Sequence, residues 1–178
     1  MALEASDLEK YIRNIPDFPK PGILFRDLTT LIQNGKAFKA SVDILVKKYR
    51  NKKIDKIVAV EARGFIFGAA MAYKLGVGFV PVRKKGKLPF KTNSVTYNLE
   101  YGTDTLEIHC DAITKNDKIL IVDDLLATGG TVKAVTELIE ELAGRIMGIA
   151  FIVELMDLGG RDKLKGYPLV SLVKFRGE

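Results

Sequence analysis

The chain has 178 residues, 47% of them hydrophobic, with one cysteine and a formal net charge of +6. The length predicts one domain over residues 1–178, and the lack of a signal-peptide layout and of any apolar run of roughly 20 residues predicts a cytoplasmic protein with no membrane partner. The lone thiol excludes an internal disulfide, while the positive charge is compatible with nucleic acid or with a small polyanionic substrate.

The first third of the chain predicts two helices and then a buried strand. Ser6 and Glu9 have the spacing of a capping box, and the apolar residues around them predict a short amphipathic helix. It ends before "PDFPKPG", where three prolines and a glycine exclude regular structure. A second amphipathic helix is predicted over residues 36–49. The run "KIVAV", residues 56–60, is typical of a strand buried on both faces.

After this strand, helices and strands alternate. An antiparallel hairpin, predicted from the alternating apolar residues of segment 94–113, interrupts the alternation. The pattern predicts an α/β fold with a mainly parallel sheet flanked by helices, and a ligand site beyond the carboxyl ends of the strands. The other predicted strands are "GFVPV" (78–82), "KILIV" (118–122), "IMGIAFIVEL" (146–155) and "LVSLVKF" (169–175), and the other helices cover residues 65–75 and 130–143.

Three loops are therefore expected at one edge of the sheet: "EARG" (61–64), "RKKGK" (83–87) and "DDLLATGGT" (123–131). The third loop leads into a helix N-terminus, whose unpaired N–H groups and partial positive charge suit a phosphate. It has neither the lysine of a P-loop nor the G-x-G-x-x-G of a dinucleotide-binding motif. The alternative is that its aspartates and threonine only cap the helix.

Two acids stand next to this anion cradle. Asp123 and Asp124 would repel a phosphate unless they bound a different part of the same ligand, and ribose 5-phosphate offers hydroxyls for carboxylates to accept. Cations in the other two loops allow a pyrophosphate on the opposite side. The basic run Arg83–Lys91 contains a single aromatic residue, Phe90, and no recognised reading module accompanies it, so we expect no nucleic-acid partner. A solvated face is the alternative for this run.

The segment "IVDDLLATGGT" resembles the 5-phosphoribosyl-1-pyrophosphate (PRPP) motif of type I phosphoribosyltransferases. The blocks "FPKPGILFRDLT", "EARGFIFG", "PVRKKGKLP" and "YNLEYGTDTLEI" resemble the members of this family that act on adenine. The resemblance implies the type I phosphoribosyltransferase fold, with a base-binding segment over about residues 1–35 and a hairpin lid over about residues 90–113. It also implies conversion of adenine and PRPP to AMP and pyrophosphate, with Mg²⁺ bound mainly through PRPP, in a homodimer.

The resemblance further implies a role for each matched residue. Arg63 lies in the family's pyrophosphate loop, where a cis peptide is typical, and no specific role follows for Glu61 or Ala62. The implied contacts are Ala127, Thr128, Gly129, Gly130 and Thr131 for the 5'-phosphate; Asp123 and Asp124 for the ribose; Arg63, Arg83, Lys84 and Lys87 for pyrophosphate; Leu24, Phe25, Arg26 and Leu125 for adenine; and Glu100 in the hairpin for catalysis.

Several alternatives remain open at this level. Glu100 is otherwise a solvent-facing strand carboxylate, and His109, the only histidine, is expected to have no role in the site. A phosphoribosyltransferase for a 6-oxopurine would use the same PRPP motif. A regulator that senses PRPP and binds nucleic acid is a second rival, although the chain has no added reading domain.

Overall fold

The structure is a computed structural model, and it describes residues 3–98 and 102–177. The strands in these residues are β1 (Arg13–Ile15), β2 (Phe25–Asp27), β3 (Lys56–Val60), β4 (Gly78–Lys84), β5 (Thr92–Asn98), β6 (Thr103–His109), β7 (Lys118–Leu126), β8 (Arg145–Leu155) and β9 (Leu169–Phe175). The helices are α1 (Thr29–Gln33), α2 (Gly35–Tyr49), α3 (Arg63–Leu75), α4 (Gly130–Glu141) and α5 (Gly160–Lys163). Short 3-10 turns cover Ala5–Tyr11 and Met156–Leu158.

The main sheet of the described residues has seven strands in the order β5-β6-β4-β3-β7-β8-β9. Strands β4, β3, β7, β8 and β9 run parallel, whereas β5 and β6 form the predicted antiparallel hairpin and join the sheet through β4. The chain leaves β3 toward β4 on one side and later returns to β3's other side as β7. The crevice beyond β3 and β7 is therefore the point where strand order reverses, which is where ligands bind in such sheets.

Strand β7 lies at the centre of two hydrophobic clusters, one on each face of the sheet. Leu120 and Val122 pack with α2 and α3, and Ile119 and Ile121 pack with α4. All four side chains are fully buried. Because successive side chains of a strand point to opposite faces, an unbroken apolar run satisfies both clusters at once, as the sequence predicted.

The N-terminal segment differs from the prediction. Ala5–Tyr11 is a 3-10 turn, and its capping contact is the Glu4 N–H donating to Asp7 Oδ2 at 3.1 Å, so the predicted pairing of Ser6 with Glu9 is wrong. The Pro-rich stretch does lack regular structure. It connects β1 to β2, which pair antiparallel and were not predicted.

One carboxylate holds the end of this small sheet. Asp27 accepts hydrogen bonds from Arg13 Nη2 at 2.6 Å and from the Thr29 N–H at 2.9 Å. Burial alone would raise the pKa of Asp27, but the bonds from Thr29 and Arg13 outweigh it and lower the pKa to about 2. The segment that contains the predicted adenine contacts is therefore fixed at both of its ends, by β1 and by α1.

Among the described residues, no helix combines the length and the apolar character needed to cross a lipid bilayer. The helix predicted over residues 36–49 is confirmed as α2, which begins after Asn34. The Asn34 side chain accepts the backbone N–H groups of Lys36 and Ala37, both at 3.1 Å. Strand β7 is longer than predicted, because it continues beyond residue 122 to Leu126.

Candidate active site

Two buried carboxylates lie at the carboxyl end of β7. Asp123 is 8% exposed and Asp124 is 7% exposed. Since both belong to the strand, Asp123 lines a pocket in front of the following loop, while Asp124 faces α3 and forms an ion pair with Arg63, with Nε and Oδ2 2.5 Å apart. A Cβ at Gly64 would lie 2.7 Å from Asp123 Oδ1, so α3 can begin this close to β7 only because residue 64 lacks a side chain.

The environment of this pair suits hydroxyl groups of a ligand. Burial, and next the charge of Asp124, raise the pKa of the Asp123 carboxyl well above its usual range. Asp123 Oδ1 accepts the backbone N–H of Asp124 at 2.9 Å. Asp124 Oδ2 is buried and contacts Arg63 Nε at 2.5 Å, although this ion pair lacks the angles of a hydrogen bond. An ionised carboxylate has several acceptor sites, so this pair keeps lone pairs for the hydroxyl donors of a ligand.

The loop after β7 forms the pocket that the sequence predicted for a phosphate. The pocket has a volume of about 80 Å³ and is lined by Asp123 and residues 125–132. Gly129 has a φ of +78° and is the N-cap of α4, so no side chain blocks the first-turn N–H groups of that helix. The hydroxyl of Thr131 lies 3.3 Å from the hydroxyl of Tyr97 in the hairpin.

A glycine that sequence reasoning missed supports this loop from behind. A Cβ at Gly160 would lie 2.1 Å from the Ala127 carbonyl oxygen, and a Cβ at Gly129 would lie 2.5 Å from the Gly160 carbonyl oxygen. Next to Gly160, Arg161 donates from Nε to Glu154 Oε1 at 2.8 Å and from Nη2 to Oε2 at 2.5 Å. The "GG" at residues 159–160 was the only signal, and it gives no information on the contact partner.

The predicted adenine segment lies beside the carboxylate pair. The guanidinium of Arg63 is 5.6 Å from the centre of the Phe25 ring, so Phe25, Arg63 and Asp124 follow one another in space. Leu24 and Leu125 are half-buried. The buried Arg26 side chain stacks on the Phe175 ring at 3.9 Å and donates to Asn14 at 2.7 Å, so part of its function is to hold the segment.

The four predicted pyrophosphate cations all have carboxylate partners. Besides Arg63, Arg83 Nη2 and Lys87 Nζ lie 3.0 and 3.3 Å from Glu61 Oε2, and Lys84 Nζ lies 2.9 Å from Asp104 Oδ2. The peptide between Glu61 and Ala62 is cis. Of the carboxylates that pair with these cations, the sequence singled out Asp124 but assigned no role to Glu61 or Asp104.

Two residues considered in the sequence, Glu100 and His109, are not part of the cluster described above. Glu100 is outside the described residues, which stop at residue 98 and resume at residue 102. His109 is at the end of β6, with its ring 6.2 Å from that of Phe90.

A larger concavity of about 890 Å³, lined by the N-terminal turn and the outer face of α2, includes none of the predicted site residues. We assign the site to the smaller pocket, because the carboxylates and the helix N-terminus converge there.

Comparisons with known proteins find relatives that cover most of this chain. A model of the phosphoribosyl transferase domain matches residues 28–173. Adenine phosphoribosyltransferase of Clostridium botulinum (strain Loch Maree / Type A3) is 58% identical over 169 residues, 95% of this chain and 98% of that protein. The crystal structure of adenine phosphoribosyltransferase from Thermoanaerobacter pseudethanolicus is 54% identical, with a TM-score of 0.93 over 96% of this chain and 99% of that one. The Saccharomyces cerevisiae enzyme, crystallised with adenine and an imino-altritol bisphosphate, is 42% identical, with a TM-score of 0.89 over 94% and 97%.

The contact behind the loop gives a testable prediction. In Gly160→Ala the new methyl group forces the loop away from α5, and the binding of AMP should weaken by at least about fivefold, since overpacking commonly costs about 1 to 3 kcal/mol. Isothermal titration with AMP measures this. Gly35→Ala is the matched control, because nothing lies within 4 Å of a Cβ at residue 35. Equal AMP affinity in the two variants would contradict the supporting role of Gly160.

Proposed function

Because the chain belongs to the adenine phosphoribosyltransferase family, we propose that its β7 loop and the cations around it bind PRPP for the conversion of adenine to AMP. The reaction releases pyrophosphate and serves purine salvage. The observation that carries the proposal is the buried Asp123–Asp124 pair directly beside an uncapped helix N-terminus. Carboxylates beside an anion-binding loop would otherwise repel the anion. A ribose phosphate suits both, because its hydroxyls donate to the carboxylates while its phosphate binds the loop.

Each end of PRPP has a matching part of the site. The 5'-phosphate binds the N–H groups and hydroxyls of residues 127–131, where the helix end attracts anions. The ribose hydroxyls donate to Asp123 and Asp124. The pyrophosphate binds the cations Arg63, Arg83, Lys84 and Lys87, whose side chains are between 34% and 57% exposed.

The donors at this edge also suit Mg²⁺ bound together with PRPP. Mg²⁺ commonly keeps several waters and takes one or two carboxylates in addition to substrate phosphates, so it needs little from the protein. The ion is expected to bind mainly through PRPP with no direct protein ligand, so Asp123 and Asp124, which lie beside the cradle, would contact it only through water. When bound, the ion neutralises charge on the pyrophosphate as it leaves.

The base binds on the opposite side of the ribose. Backbone groups of residues 24–26 read the edge of adenine, and Phe25 and Leu125 provide apolar contact. Glu100, in the hairpin lid, controls the proton on the N7 side of the base. We infer this role from the matched "LEYG" block, which is carried by the strand pair β5 and β6.

The reaction depends mainly on how the protein positions the two reactants and requires little covalent participation of protein side chains. Bond formation between the base nitrogen and C1' passes through an oxocarbenium-like state, which the nearby carboxylates stabilise electrostatically. Alignment of the two reactants and exclusion of water provide the rest of the rate enhancement. A lid that must open for product release can limit turnover.

Base specificity is the test of this function. Turnover is measured with adenine, hypoxanthine and guanine, each with PRPP, in Mg²⁺ and again after chelation with EDTA. We expect AMP formation from adenine in Mg²⁺ only, and a preference over the 6-oxopurines of several orders of magnitude, because mismatched buried polar groups are costly. Preference for hypoxanthine would support the 6-oxopurine rival, and salt-sensitive RNA or DNA binding without AMP formation would support the regulator.

Asp124→Asn tests the ribose contact. Asparagine keeps the shape of the side chain but loses its charge, and Arg63, whose side chain is 34% exposed, can turn to water. Turnover should therefore fall by at least about tenfold with a much smaller loss in unfolding free energy. Glu100→Ala provides the comparison, since it should lose turnover while PRPP still binds. Full activity of either variant would remove the role proposed for that residue.

We also propose that two copies pair through the outer face of α3. Ile66 is 40% exposed and Tyr73 is 89% exposed on this helix, which begins at Arg63 and so extends from the pyrophosphate loop. Sedimentation equilibrium should give twice the 19.7 kDa mass of one chain, and Tyr73→Asp should shift the protein toward a single chain. A single-chain mass for the unmodified protein would contradict the homodimer.

A further inference from the structure

Glu61 is the carboxylate around which the basic turn at residues 83–87 is organised. It follows β3, and its side chain is 9% exposed. Oε1 accepts the Lys84 backbone N–H at 2.6 Å. Oε2 lies 3.0 Å from Arg83 Nη2 and 3.3 Å from Lys87 Nζ. The Glu61 carboxylate thus holds the turn by accepting one of the turn's backbone N–H groups. It also neutralises two of the turn's cationic side chains.

The backbone N–H groups of this turn already donate to other groups of the protein and so are not available to an anion. The N–H groups of residues 84–87 donate to Glu61, the Thr105 carbonyl, Glu107 and the Lys84 carbonyl, at 2.6, 3.1, 2.9 and 3.3 Å. An anion that binds here must therefore use side chains. Two of those, Arg83 and Lys87, are already in contact with Glu61, so a pyrophosphate has to compete for them.

Glu61 remains charged under ordinary conditions. Burial alone would raise its pKa, but the Lys84 N–H and the cations of Arg83 and Lys87 outweigh burial and hold the pKa of Glu61 below its usual range. At neutral pH the cations that would bind an incoming pyrophosphate are thus already within hydrogen-bonding distance of a negatively charged group, the Glu61 carboxylate. Like charges that share cations weaken each other's binding.

We propose that Glu61 is a positioning residue that holds Arg83 and Lys87 in the ligand-free protein and competes with pyrophosphate for them. The proposal rests on the function assigned above. One consequence is that the turn is ordered before PRPP arrives. The other is that the product pyrophosphate binds less tightly than the number of cations alone would allow, and so dissociates faster. Fast release is useful because loss of product can limit turnover.

Glu61→Gln separates charge from shape. The amide oxygen can still accept the Lys84 N–H, but the negative charge is gone, so pyrophosphate should bind about three- to tenfold more tightly, as removal of one unit charge near a partly solvated site suggests. Titration calorimetry with pyrophosphate, with and without Mg²⁺, measures this. In turnover, both KM for PRPP and kcat should fall, while KM for adenine stays the same. Glu61→Asp restores the charge and should return the pyrophosphate affinity toward that of the unmodified protein.

Asp43→Asn is the matched control. It makes the same change in net charge, and Asp43 likewise pairs with two lysines, Lys39 and Lys74, but on α2 and at the other end of α3. Its affinity for pyrophosphate should not change. Weaker or unchanged binding in Glu61→Gln would mean that Glu61 is only a scaffold, and the proposal would be overturned. Because the titration needs no turnover, failure of the proposed function would appear separately, as a lack of AMP formation by the unmodified protein.

Discussion

The constraint on which the rest of the site depends is the burial of two adjacent carboxylates at the end of the central strand. Unpaired buried charges are very costly, and two of the same sign cost more. The compensation comes from a single turn of α3, where Arg63 pairs with Asp124 and Gly64 leaves room for Asp123. The start of α3 therefore fits against the carboxylates, while the apolar core below them packs the rest of the helix against β7. This is also where strand order reverses, so the fold opens a crevice where its charges are concentrated.

A second consequence is that the ligand-free site is neutralised from within. Each of the four cations expected to bind pyrophosphate already contacts Asp124, Glu61 or Asp104. Binding of an anionic ligand is therefore an exchange of partners, not the filling of an empty cationic patch. Such an arrangement keeps long basic side chains ordered and limits unspecific attraction of other anions.

Features with a local cause were predictable from the sequence, and features that depend on distant partners were not. The pattern of the apolar residues predicted β3, α2, α4, the hairpin and the three loops at the strand ends, and the family resemblance gave the roles expected of the loop residues. β7 continues through Asp123 and Asp124 although aspartate is depleted in strands, because pairing with β8 overrides local preference. The roles of Gly160 and Glu61 depend on contacts 31 and 22 residues away, with Gly129 and Arg83, and no local pattern encodes them. Glu100 was found by resemblance alone.

The hairpin contacts both of the loops that are proposed to bind the anionic groups of the ligand. On one side, Tyr97 of β5 contacts Thr131 in the loop expected to hold the 5'-phosphate. On the other, Asp104 of β6 pairs with Lys84, and Glu107 of β6 accepts the Gly86 N–H in the basic turn. Since β5 and β6 are paired over seven residues each, movement of one strand carries the other with it. A ligand that binds at both ends would therefore act on the same hairpin from two directions, which is a physical reason for building the proposed lid from two paired strands instead of an irregular loop.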